Sequence, residues 1–277
     1  MCEEPVASEI AVESWDECKA ELKKLADRRL EILRSEGSWT YVSPLIYRGH
    51  AKAKWELETA LERYVGSMSL EDYYRKVLEV RPEIESFTES SWEIPPREQF
   101  QQWLQNFDPL LGTKLFAHDY LVYLRHHGFP SPLLDWTRSP SIAAFFAFEE
   151  AAGTTQRVAI YSCMQYAGHG KEHSGGSPII SHLGSQIKTH RRHFLQQSEY
   201  TICTQSKNGQ YVFASHESVA ARKRDKQDLL WKITIPASER LAVLRELDSV
   251  NINKFSLFGS EEGLMSTIAL RQFDLHD

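Results

Sequence analysis

The chain has no apolar run that approaches the length of a membrane span, and it has no internal repeats or low-complexity tracts. Cysteine is sparse: Cys2, Cys18, Cys163 and Cys203 are scattered without the spacing of metal ligands. That distribution argues against a zinc module or a disulfide framework, so reduced thiols in a cytoplasm are expected. The opening Met1-Cys-Glu-Glu-Pro5 lacks the basic and apolar regions of a signal peptide, in line with a cytoplasmic location. A surplus of positive charge is also missing. The formal net charge of −6 argues against a nucleic-acid coat protein. It leaves two basic clusters, Lys188 to His193 and Arg222 to Lys226, which read either as nucleic-acid contacts or as solvated surface. What remains, 42% hydrophobic and 25% charged over 277 residues, is the composition of a globular protein that can bury a full core.

Periodicity then divides the chain. Residues 14 to 36 read as one amphipathic helix, opened by a Ser14/Glu17 capping box and closed by Gly37. The aromatic, β-branched stretch 38 to 47 reads as extended chain that delivers Arg48, Gly49 and His50. Residues 53 to 127 carry a helical period in several pieces, the last ending at Gly128 as a C-terminal cap. Strands are expected at 157–163, 199–203, 211–214 and 229–235, a helix at about 237–248, and a short helix from Glu261 after a turn at Gly259. Residues 165 to 192, rich in Gly, Ser and His, read as a loop. The strand before Arg48 needs partners that only the later strands can supply. We therefore expect a single α+β domain with a central mixed or antiparallel sheet: a helical extension at 1–37, then a domain at 38–277 with a helical insertion at 53–127.

The run Gly128 to Phe148 stands out. Pro130 and Pro132 forbid helix, Leu133 and Leu134 are core-like, and the polar set Asp135, Trp136, Thr137, Arg138 and Ser139 precedes an apolar helix. Ser139 reads as an N-cap and Pro140 as the first helical residue. Polar side chains at a strand-to-helix junction are where such folds commonly keep a site.

These residues line up with a family. Tyr47-Arg-Gly49, then His127 through Thr137, then Ala143-Ala-Phe-Phe-Ala147, resemble the FRG domain, named for its Phe/Tyr-Arg-Gly motif and found mainly in bacteria and phages. Three later stretches, His193 to Ile202, Trp231 to Pro236 and Leu257 to Leu264, are similar to family segments in the same order, so the likeness runs from about residue 40 to 270. The chain departs from the pattern at His126 (commonly Gln), at Ser131-Pro132 (commonly Thr-Arg), at Gly259 (Pro) and at Glu262 (Asp). A strand-ending Tyr-Arg-Gly is also similar to the start of the arginine-serine-glutamate ADP-ribosyltransferases. That second resemblance implies that Arg48 holds a dinucleotide, that Thr137 and Ser139 shape a nicotinamide pocket, and that Glu262, or Glu261, acts on the ribose.

Each residue also has a plainer role to weigh. Arg48 reads equally as a phosphate clamp or as a structural ion pair with Asp135. Asp135 reads first as a paired or backbone-bonded carboxylate, Trp136 as core or as a stacking surface, and Thr137 as a local cap or a pocket wall. His127 is either a poised base or a helix C-terminal charge, and Gln197 and Ser198 either bond a ligand or satisfy backbone. Glu262 either stabilises an oxocarbenium-like state or answers the helix dipole. The histidines at 169, 173, 182, 190 and 193 lack well-spaced partners, so no metal site is expected, and a metal-dependent nuclease is disfavoured.

The resulting expectation is a pocket lined by Tyr47, Arg48, Gly49, Asp135, Trp136, Thr137, Ser139, Gln197 and Ser198, with Arg48, His127 and Glu262 in catalytic roles. The resemblances imply an ADP-ribosyltransferase-like enzyme that takes NAD as a substrate and modifies a macromolecule, protein or nucleic acid, as a bacterial or phage toxin or a phage-defence effector. The alternative is a non-enzymatic module that binds nucleotide, nucleic acid or a phage protein.

Overall fold

Strand alternation sorts the core residues onto two faces of a sheet. In the computed structural model, which describes residues 8–35, 41–110, 115–151, 153, 156–172, 176–184, 187, 189, 191–220 and 226–275, the chain order is β1 (Ser8–Ala11), α1 (Trp15–Ser35), β2 (Ile46–His50), α2 (Ala60–Val65), α3 (Leu70–Thr88), α4 (Arg97–Gln105) and α5 (His118–His126). Then follow β3 (Leu134–Thr137), α6 (Pro140–Glu149), β4 (Arg157–Tyr166), β5 (Ile179–His182), α7 (Arg191–Leu195), β6 (Ser198–Lys207), β7 (Gln210–Phe213) and α8 (His216–Ala220). The chain closes with β8 (Gln227–Pro236), a 3-10 turn (Ala237–Glu239), α9 (Arg240–Ser249), α10 (Lys254–Phe258), α11 (Glu261–Ala269) and a π-helical turn (Leu270–Asp274).

Eight strands form one mixed sheet in the order β1-β8-β4-β2-β3-β6-β5, with β7 paired to β6. Only β1 against β8 is parallel. The fold is thus a single α+β domain. Two expectations change. The segment 1–37 carries β1 besides its helix, so it is built into the sheet rather than appended to it. The stretch 165–192 contains β5, because Ile179 and Ile180 are buried against β6 although four residues are too few to show a period. The two basic clusters lie partly outside the described residues.

On β4, Val158, Ile160 and Met164 join one apolar cluster and Ala159, Tyr161 and Cys163 join another. The first face carries two groups of helices. Helices α1, α6 and α9 cover the β8-β4-β2 half through Trp15, Phe145, Phe148, Leu244 and Trp231. Helices α2 to α5 cover the β6-β7 half, with Tyr73, Val77, Leu121 and Leu124 against Tyr200 and Ile202. The opposite face is capped by the segment after β2 and by α8. Among the described residues no helix is long and apolar enough to cross a membrane.

Local chemistry sets the junctions as the sequence suggests. Ser139 accepts a bond from the Ile142 amide and Pro140 opens α6. Gly128, at φ +84°, lets the chain leave α5 while the Phe129 amide bonds back to Leu124. Asn208-Gly209, both at positive φ, make the two-residue turn of the β6–β7 hairpin.

Gly49 has a different task. Helix α6 crosses β2 so closely that a Cβ at position 49 would run into the Ala143 carbonyl oxygen and come within 2.6 Å of the Ala147 amide nitrogen. Both obstacles are backbone and cannot rotate away. Gly49→Ala is therefore expected to cost roughly 3 kcal/mol or more of stability, at the upper end of overpacking costs, read as a lowered urea midpoint with an unchanged slope.

Candidate functional site

Between β2 and β3 the sheet has a seam. Tyr47 and Thr137 are the one registered pair there, whereas β2 pairs with β4 at five positions and β3 with β6 at four. The two helical groups flank this seam, and a cleft of about 780 Å³ opens into it. Its floor is formed by Tyr47, Arg48, Gly49, Asp135, Trp136, Thr137 and Ser198. Its walls are Arg125 and His126 from α5 and Phe146 from α6, with Arg192, Gln196 and Phe258 beyond, and one mouth is made of Trp55, Glu56, Glu58 and Arg63.

Arg48 occupies the seam. Its Nη1 donates to the Asp135 backbone carbonyl at 2.6 Å, and its Nε donates to His50 Nε2 at 3.0 Å; Nη2 takes part in neither bond. Burial pushes its guanidinium down to about 10. Asp135 pulls the other way, and the like charges of Arg125 and Arg63 lower it further. The group stays cationic near neutrality, but its charge is held against desolvation and like-charged neighbours. The anticipated Arg48–Asp135 ion pair is not formed. Asp135 points its carboxylate to Arg125 instead, Oδ2 to Nη2 at 2.6 Å, because alternation sends the Asp135 side chain to the α5 face and the Arg48 side chain to the other. Asp135 Oδ1 is buried with no hydrogen-bond partner among the described residues.

Behind this floor lies a buried hydroxyl. Tyr200 meets His126 Nε2 at 2.8 Å and His193 Nδ1 at 3.1 Å, and the His193 ring stacks on it. Burial, then the Asp135 charge, raise its pKa, so the hydroxyl stays protonated. On the opposite face Trp136 Nε1 donates to Thr201 Oγ1 at 2.8 Å, and Thr201 Oγ1 lies 2.9 Å from His216 Nε2.

Of the residues read from the sequence, the cleft gathers Tyr47, Arg48, Gly49, Asp135, Trp136, Thr137 and Ser198. It does not gather four others. His127 is the C-cap of α5, exposed, with its ring beside Tyr123; His126, one residue earlier on the helix, turns inward in its place. Gln197 is exposed at positive φ while Gln196 lines the wall, since the chain reverses there before β6. The Ser139 hydroxyl is engaged as the cap of α6. Glu262 is exposed in the first turn of α11, where its own backbone N–H and the Ser260 side chain hold its carboxyl below the usual range; Arg192, which does line the cleft, adds a weaker pull. Glu261 is exposed in the same turn. The helix-dipole role describes this pair. Thr137 is a wall with a second duty, donating to the Gln196 carbonyl at 2.8 Å and accepting from the Ser139 amide.

Sequence reading missed Arg125, His126, Trp55, Glu56, Glu58, Phe146, Glu150 and Arg192. For Arg125 a signal existed: a cation in the last turn of a helix, just before the Asp135 run. The others are brought in by packing alone.

His50 and His216 are buried, and desolvation together with the Arg48 charge pushes each imidazole down to about 3. The unfolded chain takes up these protons below about pH 6.5, while the native chain does not until about pH 3. Stability is expected to fall as pH drops through that window. Urea titrations at pH 7 and pH 5 should show the loss, and a smaller one in His216→Gln.

Residues 43–156 match the family described as the FRG domain, which takes in the Tyr47-Arg-Gly motif, the Asp135 run and α6. The motifs around Gln197, Trp231 and Leu257 fall outside the matched span. No curated protein and no solved structure matches the chain.

Proposed function

Because the chain carries an FRG domain over the part that builds the seam, we propose that it binds a phosphate-bearing nucleotide there, with NAD the candidate that the Tyr-Arg-Gly resemblance points to. One observation carries the reading: a desolvated guanidinium fixed by two hydrogen bonds, with Nη2 outside both and two more arginine charges close by. An anion among Arg48, Arg125 and Arg63 would relieve their mutual repulsion and replace lost solvation. The planar fork of Arg48 suits a phosphate, and its two protein bonds pre-organise it.

A second reading is ADP-ribosyl transfer from NAD to a macromolecule, as a toxin or phage-defence effector would perform. It is favoured by the carboxylates Glu56, Glu58 and Glu150 lining the same cleft as Arg48. A carboxylate near the nicotinamide–ribose bond can stabilise the developing oxocarbenium charge. The role given to Glu262 by resemblance would then pass to one of these three.

Calorimetric titration with NAD and ADP tests the first reading. Arg48→Ala is expected to weaken binding at least about tenfold, the scale of losing a charge-assisted hydrogen bond, and Arg48→Lys less. Glu262→Gln should bind as wild type. Thermal melts of each variant separate loss of ligand from loss of fold. Nicotinamide release from labelled NAD in the presence of lysate tests the second reading, which fails if wild type and Arg48→Ala give the same signal.

A further inference from the structure

Trp55 is the exposed tryptophan among the described residues, with 43% of its surface accessible, while Trp15, Trp136 and Trp231 are buried in the core. It is not exposed for want of order. Its carbonyl accepts from the Tyr161 hydroxyl at 3.2 Å and its amide donates to the Lys52 carbonyl at 3.0 Å. The Ala53 amide bonds to Arg157, and the Leu57 amide to the Glu217 carboxylate at 2.9 Å. Thr59 and Glu62 then close the segment with a reciprocal capping box. A large ring on a loop anchored at so many points is pre-organised, so a ligand that stacks on it pays little ordering entropy.

The surroundings narrow what would stack. The ring lines one mouth of the cleft beside Glu56, Glu58 and Arg63. Lys52 Nζ lies 5.5 Å from its centroid, and the His50 ring meets it at 6.3 Å in an edge-on contact. His50 also bonds Arg48, so one imidazole separates the indole from the guanidinium. The cleft thus offers an indole, carboxylates and, one imidazole away from the indole, a guanidinium, and a nucleoside phosphate carries a complement to each: base, sugar hydroxyls and phosphates.

We propose that Trp55, Glu56 and Glu58 form the nucleoside subsite of the seam cleft, with the base stacked on the indole, the sugar hydroxyls donating to the two carboxylates, and the 5′-phosphates reaching Arg48. This rests on the reading of Arg48 as an anion site. It adds that the ligand enters from the Trp55 mouth and that a nucleoside diphosphate is held at both ends.

Titrations of ADP and of inorganic pyrophosphate into wild type, Trp55→Ala, Trp55→Phe and Arg48→Ala test it. Wild type should bind ADP more tightly than pyrophosphate. Trp55→Ala should lose about tenfold in ADP affinity, the scale of a base–aromatic stack, with pyrophosphate affinity unchanged, and Trp55→Phe should recover most of the loss. If both Trp55 variants bind ADP like wild type while Arg48→Ala loses pyrophosphate, the subsite is refuted and the anion site stands. If wild type binds neither probe, the anion reading fails and the subsite with it.

Discussion

Between β2 and β3 the backbone ladder stops after one registered pair, and the Arg48 guanidinium takes over, reaching across to the Asp135 carbonyl. Much else hangs on that substitution of a side chain for a strand. A fully zipped seam would bring the two helical groups together over a continuous sheet and leave no cleft. With the seam open and unbridged, the Asp135 carbonyl would lose the donor that Arg48 supplies. Arg48 satisfies the carbonyl and keeps the seam open. Gly49, the next residue, lets α6 lie down on β2 and so sets where one wall of the cleft stands.

The arrangement concentrates cost at one place. A cation is desolvated, two histidines beside it are kept neutral, and Asp135 Oδ1 has no partner among the described residues. Core residues chosen for stability alone would avoid such a set, and Arg48, His50 and Asp135 from it line the cleft, which is what supports the proposal of a ligand there. The supporting hydrogen bonds run beside this set. Trp136 donates to Thr201, which meets His216 Nε2, and Thr137 ties β3 to the Gln196 carbonyl, so these bonds hold the floor in shape.

Legibility in the sequence followed range. Helix α1 and helix α6, with its Ser139 cap and Pro140, carry a clear pattern or explicit stop signals and appear where these place them, and strands β4, β6 and β8, read at 157–163, 199–203 and 229–235, are present and longer than read. Strands β1 and β5, four residues each, were not anticipated, whereas β7, equally short, was read at 211–214 from its aromatic and β-branched residues. In the site the same contrast appears as errors of one residue. The motif around Gly128 identified a histidine pair, but whether His126 or His127 faces inward is a rotation of about 100° around a helix. Gln196 and Gln197 differ likewise by which side of a chain reversal each occupies. Glu262 failed for another reason: order along the chain says nothing about distance across the fold, and the capping geometry at Ser260 claims that carboxylate.

By itself the sequence determined the α+β class and the placement of a polar run between a strand and a helix, with Arg48, Asp135 and Thr137 at positions that line the cleft, because these depend on local propensity and short-range pattern. Only the tertiary structure decided that Asp135 pairs with Arg125 rather than Arg48, that Trp55 and two glutamates stand at the mouth, and that α11 keeps its acidic turn outside. Those outcomes depend on strand register and on which helices meet over the seam, which no local stretch of sequence encodes.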